Sequence, residues 1–527
     1  MNVSDAIIKF LEKENVKTIY GYPGGALLPI YQSLSNSNIN HILVRHEQAA
    51  IHAASGYALN TNSVGVCIAT SGPGATNLIT GIANAYMDSI PVVIITGQVS
   101  TDIIGYDSFQ EADIIGATEP FTKYNFLVKN EKEIAKIFKE AFHIANTGRK
   151  GPVLIDIPTD IQDKIIEFNY PKTVNIIGYK PTLKGNKNQI KKAYKKISSS
   201  KKPLLCIGKG ILSSNAKKEL KNFVEKTKIP VVHTLLGKGA FDETNSLYLG
   251  MIGSHGHNFA NNLIEKSDLL IIIGMSISNR TTANFTTSKK NIIHIDIDPA
   301  EVGKNLPSNI PIIGDAKNIL NELINYNYEL KLNKWIDIIN FEKSDNNTYL
   351  GKNIIIDSKL AEITNHLSEN AVFIADVGNN QISAAHNIKM YGNRKYFTSG
   401  RLGTMGFSLP ASIGAQASNL DGEIIVIIGD GGFQMVMNEL ITLYENNLKV
   451  KIILLDDNSL GMVRNLQKNK YNQTFGVNFK HNPNFNTICN ANNVKYFNLN
   501  STKELLEFVN YDSLCLGRIN QRDNFYE

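Results

Sequence analysis

The sequence predicts an α/β protein with three doubly wound parallel-sheet domains, and three observations favour this fold class. Short apolar, β-branched segments alternate with helix-length segments along the chain, which is the pattern of parallel strands joined by crossover helices. Several of these strands run into glycine-containing turns that precede a helix. The length of 527 residues exceeds one ordinary core, so about three domains are expected.

The first domain is predicted to span residues 1–165 and to contain one sheet. Its strand segments are apolar and β-branched, and they occupy residues 17–20, 42–44, 64–69, 92–97 and 153–157. An irregular stretch that contains lysine and proline, residues 165–187, follows and is typical of a linker.

Two further domains are predicted, at residues 186–325 and 353–527, with the polar stretch 325–352 between them. Strand segments of the middle domain are PLLCIGKG, VVHTLLGKG, DLLIIIG, IIHIDIDP and PIIGDA. Those of the last domain are AVFIADVG, EIIVIIGDGG and VKIILLDDN. The first and last domains share a rhythm of strand, glycine turn and helix, which indicates two related folds around a different one.

Charge and hydropathy argue against nucleic-acid and membrane partners. The net charge of +6 arises from 54 basic and 48 acidic residues and is diffuse, whereas nucleic-acid binding needs a concentrated basic face. The lysine-rich residues 184–202 are interpreted as a solvated helix face and linker. The longest apolar runs are interrupted by charges and glycines before the roughly 20 residues that a bilayer requires.

The N-terminal residues and the cysteines indicate a cytoplasmic protein. The first 25 residues read as a helix running into a strand and lack the pattern of a secretory signal. The four cysteines are far apart and form no CxxC pair, so neither a disulfide framework nor a zinc site is indicated. We expect all four to be buried thiols.

Acidic side chains follow two strand segments of the last domain, at Asp430 and Asp457. Both strands are predicted to be parallel neighbours, so the two carboxylates should meet at one edge of the sheet. Mg²⁺ prefers such oxygen ligands together with phosphate oxygens, and Gly431 and Gly432 allow the backbone to approach a diphosphate. A helix expected to begin near Gln434 would favour that anion. The alternative is a strand–turn–helix connection with an acidic cap.

This pair resembles the metal–diphosphate signature of thiamine-diphosphate enzymes, in which GDG precedes an asparagine-containing element. The separation is 457 − 430 = 27 positions, which suits the signature, although Asp457 stands where that family usually has asparagine. The resemblance implies a Mg²⁺ held by Asp430, Asp457 and the carbonyl of Ser459. The additional carboxylate predicts a change in metal affinity or choice.

The segment RHEQAA carries Glu47 at the expected start of a helix, where an acid could simply favour the helix N-terminus. The resemblance instead implies that Glu47 hydrogen-bonds the pyrimidine ring of thiamine diphosphate and promotes its imino tautomer. TSGPGATN, with Gly72, Pro73 and Asn77, resembles the pyrimidine-binding loop of the same family.

Three other segments complete the predicted thiamine-diphosphate site by resemblance. DSFQE implies that Gln110 approaches the cofactor and the reacting keto acid and that Phe109 lines the substrate pocket, although without this resemblance Phe109 would be interpreted as a core aromatic. GTMGF and DVGNNQ imply cofactor contacts, and Asn380 in the second replaces the histidine that the family favours. The residues implied are Gly403 and Met405 in the first segment, and Gly378 and Asn379 in the second.

The middle domain resembles the FAD-binding domain of acetolactate synthases over almost its whole length. In that family the flavin is structural, because the reaction has no net redox change. The residues that the resemblance assigns to FAD are Arg149, Gly208, Thr234, Leu235, His255, Asp296 and Asp315.

Across the whole chain, the resemblance is to the large catalytic subunit of acetolactate synthase. It implies decarboxylation of pyruvate and condensation with a second 2-keto acid, in branched-chain amino acid biosynthesis. Arg280 would bind the acceptor carboxylate, although a strand-end salt-bridge arginine is the alternative, and Met462 and Leu466 would join the pocket.

Four positions near that pocket depart from the family pattern. Ser278 and Asn279 replace two carboxylates, Thr159 replaces a lysine, and Leu466 replaces a tryptophan. One methylene in an apolar pocket is worth about 1–3 kcal/mol in discrimination, so the smaller wall predicts only weak preference for 2-ketobutyrate over pyruvate as acceptor.

The resemblance further implies a homodimer or a dimer of dimers with shared active sites, and a possible regulatory small subunit. One alternative is a related thiamine-diphosphate lyase or carboligase acting on another 2-keto acid or an aldehyde. Another is an inactive partner paralogue. The sequence ends soon after its last strand segment, which predicts either a short form or a truncated chain.

Overall fold

The computed structural model describes residues 1–282, 290–345, 349 and 353–520. Within these residues there are three six-stranded sheets, and the predicted α/β class with three doubly wound parallel sheets is confirmed. The residues form two compact units. The first comprises Met1–Tyr179, Ala371–Gln381 and Phe397–Glu527, and the second comprises Lys180–Asn370 and Ile382–Tyr396. The exact domain limits stay predictions.

The first sheet has the strand order β2-β1-β3-β4-β6-β5, and its paired strands are parallel. Its strands are β1 Thr18–Tyr22, β2 Asn40–Leu43, β3 Gly65–Ala69, β4 Val92–Gln98, β5 Tyr124–Leu127 and β6 Val153–Pro158. Its helices are α1 Val3–Lys13, α2 Leu28–Ser35, α3 Glu47–Thr61, α4 Pro73–Thr76, α5 Ile79–Met87, α6 Ile114–Thr118, α7 Ile134–Asn146 and α8 Thr159–Gln162, with 3-10 turns at Gly25–Leu27, Glu119–Phe121 and Glu131–Glu133.

The middle sheet has the order β12-β11-β10-β7-β8-β9 and is also parallel. Its strands are β7 Pro203–Ile207, β8 Val231–His233, β9 Tyr248–Met251, β10 Leu269–Ile273, β11 Asn291–Asp296 and β12 Ile310–Ile313. The accompanying helices are α9 Lys187–Ser199, α10 Gly210–Ser213, α11 Lys217–Thr227, α12 Asn258–Lys266, α13 Asn279–Thr282, α14 Ala316–Ile324, α15 Asn333–Asp345 and α16 Ile354–Asn365, with a 3-10 turn at Leu235–Gly237.

The third sheet has the order β14-β13-β15-β16-β18-β17. Its strands are β13 Val372–Ala375, β14 Lys395–Thr398, β15 Ile424–Gly429, β16 Val450–Asp456, β17 Lys495–Asn498 and β18 Cys515–Asn520. Its helices are α17 Asn379–Asn387, α18 Ser408–Ala417, α19 Asp430–Val436, α20 Glu439–Glu445, α21 Gly461–Tyr471, α22 Phe485–Ala491 and α23 Thr502–Asn510.

Helices α3 and α18 pack against each other within the first unit and bring the first and third sheets into one hydrophobic core. Their contact is close because glycines face backbone. A Cβ built on Gly56 would lie 1.9 Å from the carbonyl oxygen of Ala411, and one on Gly414 would lie 1.7 Å from that of Ala53. Side chains cannot fit at either glycine, so the start of α3 is held in a defined position relative to the segment before α18.

The expectations for the cysteines and for the lysine-rich segment are confirmed. All four cysteines are buried, and burial raises the pKa of Cys206, Cys489 and Cys515 to about 12, so these thiols stay protonated. In the lysine-rich segment, α9 turns Ile190, Ala193 and Ile197 inward, with exposed lysines between them. Among the described residues, none of the helices combines the length and apolarity that spanning a membrane requires.

Candidate functional site

Glu47 is the first residue of α3, and its carboxylate lies close to α4 and to the residue that follows it, Asn77. The side chain of Asn77 donates a hydrogen bond of 2.9 Å to Oε2 of Glu47. A Cβ built on Gly74 would lie only 3.3 Å from Oε1, so the small residue there keeps space beside that oxygen. The fold therefore joins Glu47 and Asn77, which are 30 positions apart in the sequence.

Gly72, in the same loop, contacts the backbone of Gln110. Gly72 has φ +56°, and a Cβ on it would lie 2.7 Å from the carbonyl oxygen of Gln110. Gln110 itself has φ +58°, a left-handed conformation that costs free energy for a residue with a side chain. The neighbouring Phe109 is 89% exposed, so the core alternative for this aromatic is wrong.

The loop that carries Phe109 and Gln110 is anchored by hydrogen bonds at both ends. At its start, Thr101 donates to the carboxylate of Asp160 through its backbone nitrogen, at 2.9 Å, and its hydroxyl, at 2.7 Å. At its end, Gln98 donates to the carbonyl of Ala112 and to the buried carboxyl group of Asp156, both at 3.0 Å. Burial raises the pKa of Asp156 to about 7. Thr101 and Asp160 lie outside the segments that carry the family resemblance.

Asp430 and Asp457 follow the adjacent parallel strands β15 and β16, as the sequence predicts. Burial raises the pKa of Asp430 to about 6, and the negative charges of Asp457 and Asp456 add to this effect. The predicted start of the helix near Gln434 is wrong, because α19 begins at Asp430 itself. The negative charge of Asp430 is favourable at the helix N-terminus, which is the positive end of the helix dipole. The two glycines that follow lie in the first turn.

Asn482 bridges two of the acidic residues at this edge. Its side-chain nitrogen donates to Oδ2 of Asp430 and to Oδ1 of Asp456, both at 2.7 Å. Asp456 also accepts a 2.8 Å hydrogen bond from Nε of Arg518. Asp430 is thereby oriented by a residue 52 positions later in the chain, which no motif in the sequence indicated.

Asp457 has polar contacts on both carboxylate oxygens. The backbone nitrogen and hydroxyl of Ser459 donate to Oδ1 at 3.1 and 2.9 Å, and Arg464 approaches Oδ2 at 3.2 Å. Burial raises the pKa of Asp457, whereas Ser459 and Arg464 oppose that shift. A Cβ on Gly461 would lie 2.2 Å from Oδ2 and 2.8 Å from the amide nitrogen of Asn379, so the glycine leaves room for both groups.

These residues fit a hard divalent cation that completes its coordination with other oxygens. Within the described part of the chain, His, Cys, Asp and Glu side chains form no group of three suited to a metal ion. The two buried carboxylates at neighbouring strand ends, Asp430 and Asp457, supply oxygen ligands near Gly431 and Gly432. A carbonyl and phosphate oxygens would complete the set, which is how Mg²⁺ commonly binds.

The loop with Gly403 and Met405 is held by the buried carboxylate of Asp376. Asp376 accepts hydrogen bonds from the backbone nitrogens of Gly406 and Ser408 and from the hydroxyl of Ser408, each at 2.9 Å. The terminal methyl of Met405 lies 3.5 Å from the position of a Cβ on Gly431. Asp376 thus fixes the turn that brings Met405 against the glycines next to Asp430.

We expect Asp376→Asn to lower the free energy of unfolding by about 1–3 kcal/mol, because one end of the amide must face backbone N–H donors. Urea unfolding of the purified chain measures this loss. Ser408→Ala is the matched control, since it removes only the hydroxyl partner and should cost less. Equal stability of Asp376→Asn and the wild type would contradict the assigned role of the carboxylate.

In the middle sheet, the predicted flavin residues follow the carboxyl ends of several parallel strands. The strand ends concerned are those of β7 for Gly208, β8 for Thr234 and Leu235, β9 for His255, β11 for Asp296 and β12 for Asp315. Gly208 also has a packing role, because a Cβ there would lie 2.3 Å from the carbonyl oxygen of Gly274. Such an edge is where ligands of open α/β sheets bind.

Two arginines predicted as site residues, Arg149 and Arg280, each have their own contacts. Arg149 belongs to the first compact unit, where its Nε donates to Ser89 at 2.9 Å and its guanidinium lies 5.6 Å from the ring of Tyr86. Arg280 lies in α13, after β10, with an exposed side chain, and its carbonyl accepts two hydrogen bonds from Ser254.

A pair of half-buried histidines, His257 and His386, supports the loop that carries His255. His386 lies 3.3 Å from His257 and 2.6 Å from the carbonyl oxygen of His255. Burial lowers the pKa of His386 to about 3 and that of His257 to about 4, so both rings are neutral. Nε2 of His386 must then donate to His255, which makes its Nδ1 the acceptor for His257. The sequence offered no signal that joins positions 257 and 386.

Three family models match three separate segments of the chain. Residues 1–117 match the model described as thiamine pyrophosphate enzyme, N-terminal TPP binding domain. Residues 190–323 match the central domain of the thiamine pyrophosphate enzymes, and residues 376–510 match their C-terminal TPP binding domain.

Curated relatives are similar over almost the whole length. A probable acetolactate synthase large subunit of Methanococcus aeolicus is 44% identical, over 96% of this chain and 89% of the relative. The corresponding protein of Methanocaldococcus jannaschii has the same identity and coverage. The acetolactate synthase large subunit of Corynebacterium glutamicum is 43% identical, over 89% of this chain and 76% of the relative.

Proposed function

This chain belongs to the thiamine pyrophosphate enzymes, among the acetolactate synthase large subunits, and we propose that it condenses two 2-keto acids, with pyruvate as the donor. The observation that carries this proposal is that one compact unit contains two half-sites, which two copies of the chain would share. One half-site has Glu47 held by Asn77, and the other has Asp430 and Asp457 at neighbouring strand ends.

Thiamine diphosphate, when bound, supplies a carbon nucleophile for the keto group and an electron sink for the departure of CO₂. Glu47 would hold the proton that is exchanged with the pyrimidine ring. The hydrogen bond from Asn77 to Oε2 would orient the carboxylate for that exchange. The carbonyl of Gly403 would accept from the pyrimidine amino group, and Met405 would support the bent cofactor.

Metal and diphosphate would be held at the edge of the third sheet. Asp430, Asp457 and the carbonyl of Ser459 would coordinate Mg²⁺, while the backbone of Gly431 and Gly432 approaches the diphosphate. Support comes from the orientation of Asp430 by Asn482 and from the space that Gly461 leaves beside Asp457.

FAD is proposed as a structural cofactor of the middle domain. Asp296 ends β11, and Asp315 is the N-cap of α14 just after β12, so both carboxylates can receive hydrogen bonds from ribose or adenine at one sheet edge. The neutral histidine pair beneath His255 gives that loop a defined shape, which suits a bound planar group.

The substrate pocket is proposed to include Phe109, Gln110, Arg280, Met462 and Leu466. Phe109 is 89% exposed and Leu466 is 63% exposed within this chain, which is consistent with a second copy completing the site. A homodimer or a dimer of dimers is therefore part of the proposal. A cytoplasmic location and a regulatory small subunit as a further partner are also proposed.

The test is to incubate the purified protein with thiamine diphosphate, Mg²⁺ and pyruvate, with and without FAD, and to identify every product. We expect acetolactate as the main product and little acetaldehyde, because a closed site keeps water and protons from the intermediate. With pyruvate and 2-ketobutyrate in competition, we expect only weak enrichment of 2-aceto-2-hydroxybutyrate. Strong enrichment would contradict the pocket hypothesis.

Other outcomes separate the alternatives. Turnover of a different 2-keto acid or an aldehyde, with none of pyruvate, would favour the related lyase or carboligase, to which the departures at Ser278 and Asn279 would be suited. Binding of the cofactor without turnover of any keto acid would favour the inactive partner paralogue.

A further inference from the structure

Three acidic residues meet at the edge of the third sheet, and each has different neighbours. Arg518 and Asn482 donate hydrogen bonds to Asp456, and Asn482 also donates to Asp430. Asp457 accepts a hydrogen bond from Ser459 and forms an ion pair with Arg464. Arg464 lies in the first turn of α21, with its guanidinium 3.2 Å from Oδ2 of Asp457. Its side chain is 32% exposed and that of Asp457 is 11% exposed, so water screens this pair only partly.

The hydrogen-bond arrangement determines which oxygen of Asp457 can bind a cation. Each carboxylate oxygen offers about two lone-pair sites. Both sites on Oδ1 are used, by the backbone nitrogen and the hydroxyl of Ser459. Oδ2 has a site left beside Arg464, and Gly461 keeps the space next to it free of a side chain. A divalent ion at Asp457 must therefore share Oδ2 with an arginine.

We propose that Arg464 is a positioning residue that sets the affinity of the Asp430–Asp457 site for its divalent cation. The inference rests on the proposed function in one respect, that Asp457 is a metal ligand. A guanidinium on Oδ2 offsets the charge of the carboxylate and repels a metal cation at the same oxygen, so it weakens metal binding at this site. The same contact positions α21, which carries Met462 and Leu466.

The experiment is a titration of the full-length chain with Mn²⁺, followed by electron paramagnetic resonance, with and without saturating thiamine diphosphate. We expect Arg464→Gln to bind Mn²⁺ more tightly than the wild type, by roughly threefold to tenfold, the range for loss of a partly buried ion pair. Arg464→Lys should restore near wild-type affinity because it keeps the charge.

Two controls separate a specific contact from a general effect of charge or folding. Lys468→Gln removes one charge from an exposed position of the same helix and should leave Mn²⁺ affinity unchanged. In the Asp457→Asn background, Arg464→Gln should have no further effect, since the carboxylate that couples the two is gone. A merely structural role would lower metal affinity in Arg464→Gln instead of raising it.

The possible failures are distinguishable. If the wild type binds Mn²⁺ and Arg464→Gln binds it equally or more weakly, the inference is overturned while the proposed function stands. If neither the wild type nor any variant binds Mn²⁺, with or without thiamine diphosphate, the metal assignment fails and the inference fails with it.

Discussion

Glu47→Gln is expected to slow CO₂ release from pyruvate by about 100-fold to 10,000-fold, the range for loss of a positioned acid–base group. Glutamine has the same size, and its carbonyl oxygen can still accept the hydrogen bond that Asn77 donates to Glu47. The fold should therefore be retained while the carboxylate that exchanges the proton is lost. Assays of CO₂ release with saturating thiamine diphosphate and Mg²⁺ measure the effect.

The control for Glu47→Gln is Glu12→Gln on α1, which changes an exposed glutamate in the same domain and should leave the rate unchanged. Asn77→Ala is expected to be intermediate, because it leaves the carboxylate in place without its orienting donor. Undiminished CO₂ release in Glu47→Gln would refute the role proposed for this residue.

Asp430→Asn should have two effects of opposite sign. Affinity for Mg²⁺ should fall by about 100-fold, since an amide replaces an anionic ligand and one of its ends presents N–H groups. Without metal the variant should be more stable than the wild type. The wild-type carboxylate is buried beside Asp456 and Asp457, and this environment raises its pKa to about 6. Removing a poorly solvated charge favours the folded state.

The stability gain of Asp430→Asn should depend on pH in a defined direction. The native pKa of Asp430, about 6, lies above the unfolded value of 3.8, so the folded wild type binds its proton more tightly. The wild type is therefore penalised above pH 6, and the penalty disappears as the pH falls towards 4. Thermal unfolding in metal-free buffer from pH 4 to 7.5 measures the difference.

Asp512→Asn is the control for this experiment, because Asp512 lies in the same domain but its side chain is exposed. It should change neither Mg²⁺ affinity nor metal-free stability appreciably. A variant Asp430→Asn that keeps wild-type Mg²⁺ affinity would remove Asp430 from the proposed metal site.

Most strands predicted from the sequence are buried on both faces, although the predicted edge strands β2 and β12 are partly exposed. β4, β15 and β16 are continuous apolar runs because helices cover both sides of a parallel sheet, and such runs stand out in a sequence. The edge strands β5 and β17 were not predicted, because they are partly exposed and mix polar with aromatic residues. Edge strands carry a weaker apolar signal.

The candidate site also contains residues that the sequence predicted and residues that it did not. Residues that follow strands, such as Asp430 and Asp457, could be paired from the sequence because the carboxyl ends of parallel neighbours share one edge. The residues that orient them could not. Asn482 reaches the acidic cluster from the irregular segment before α22 and Arg464 reaches it from α21, and Asp376 holds a turn 30 positions later in the chain.

The sequence by itself determined the α/β class, the three sheets and the family, because hydrophobic periodicity and short glycine-rich motifs are local properties of the chain. Only the tertiary structure decided which polar side chains meet: Asn77 with Glu47, Asn482 with Asp430, and Arg464 with Asp457. The physical reason is that a buried carboxylate must find donors wherever the packing of distant elements supplies them, and sequence separation carries no record of that proximity.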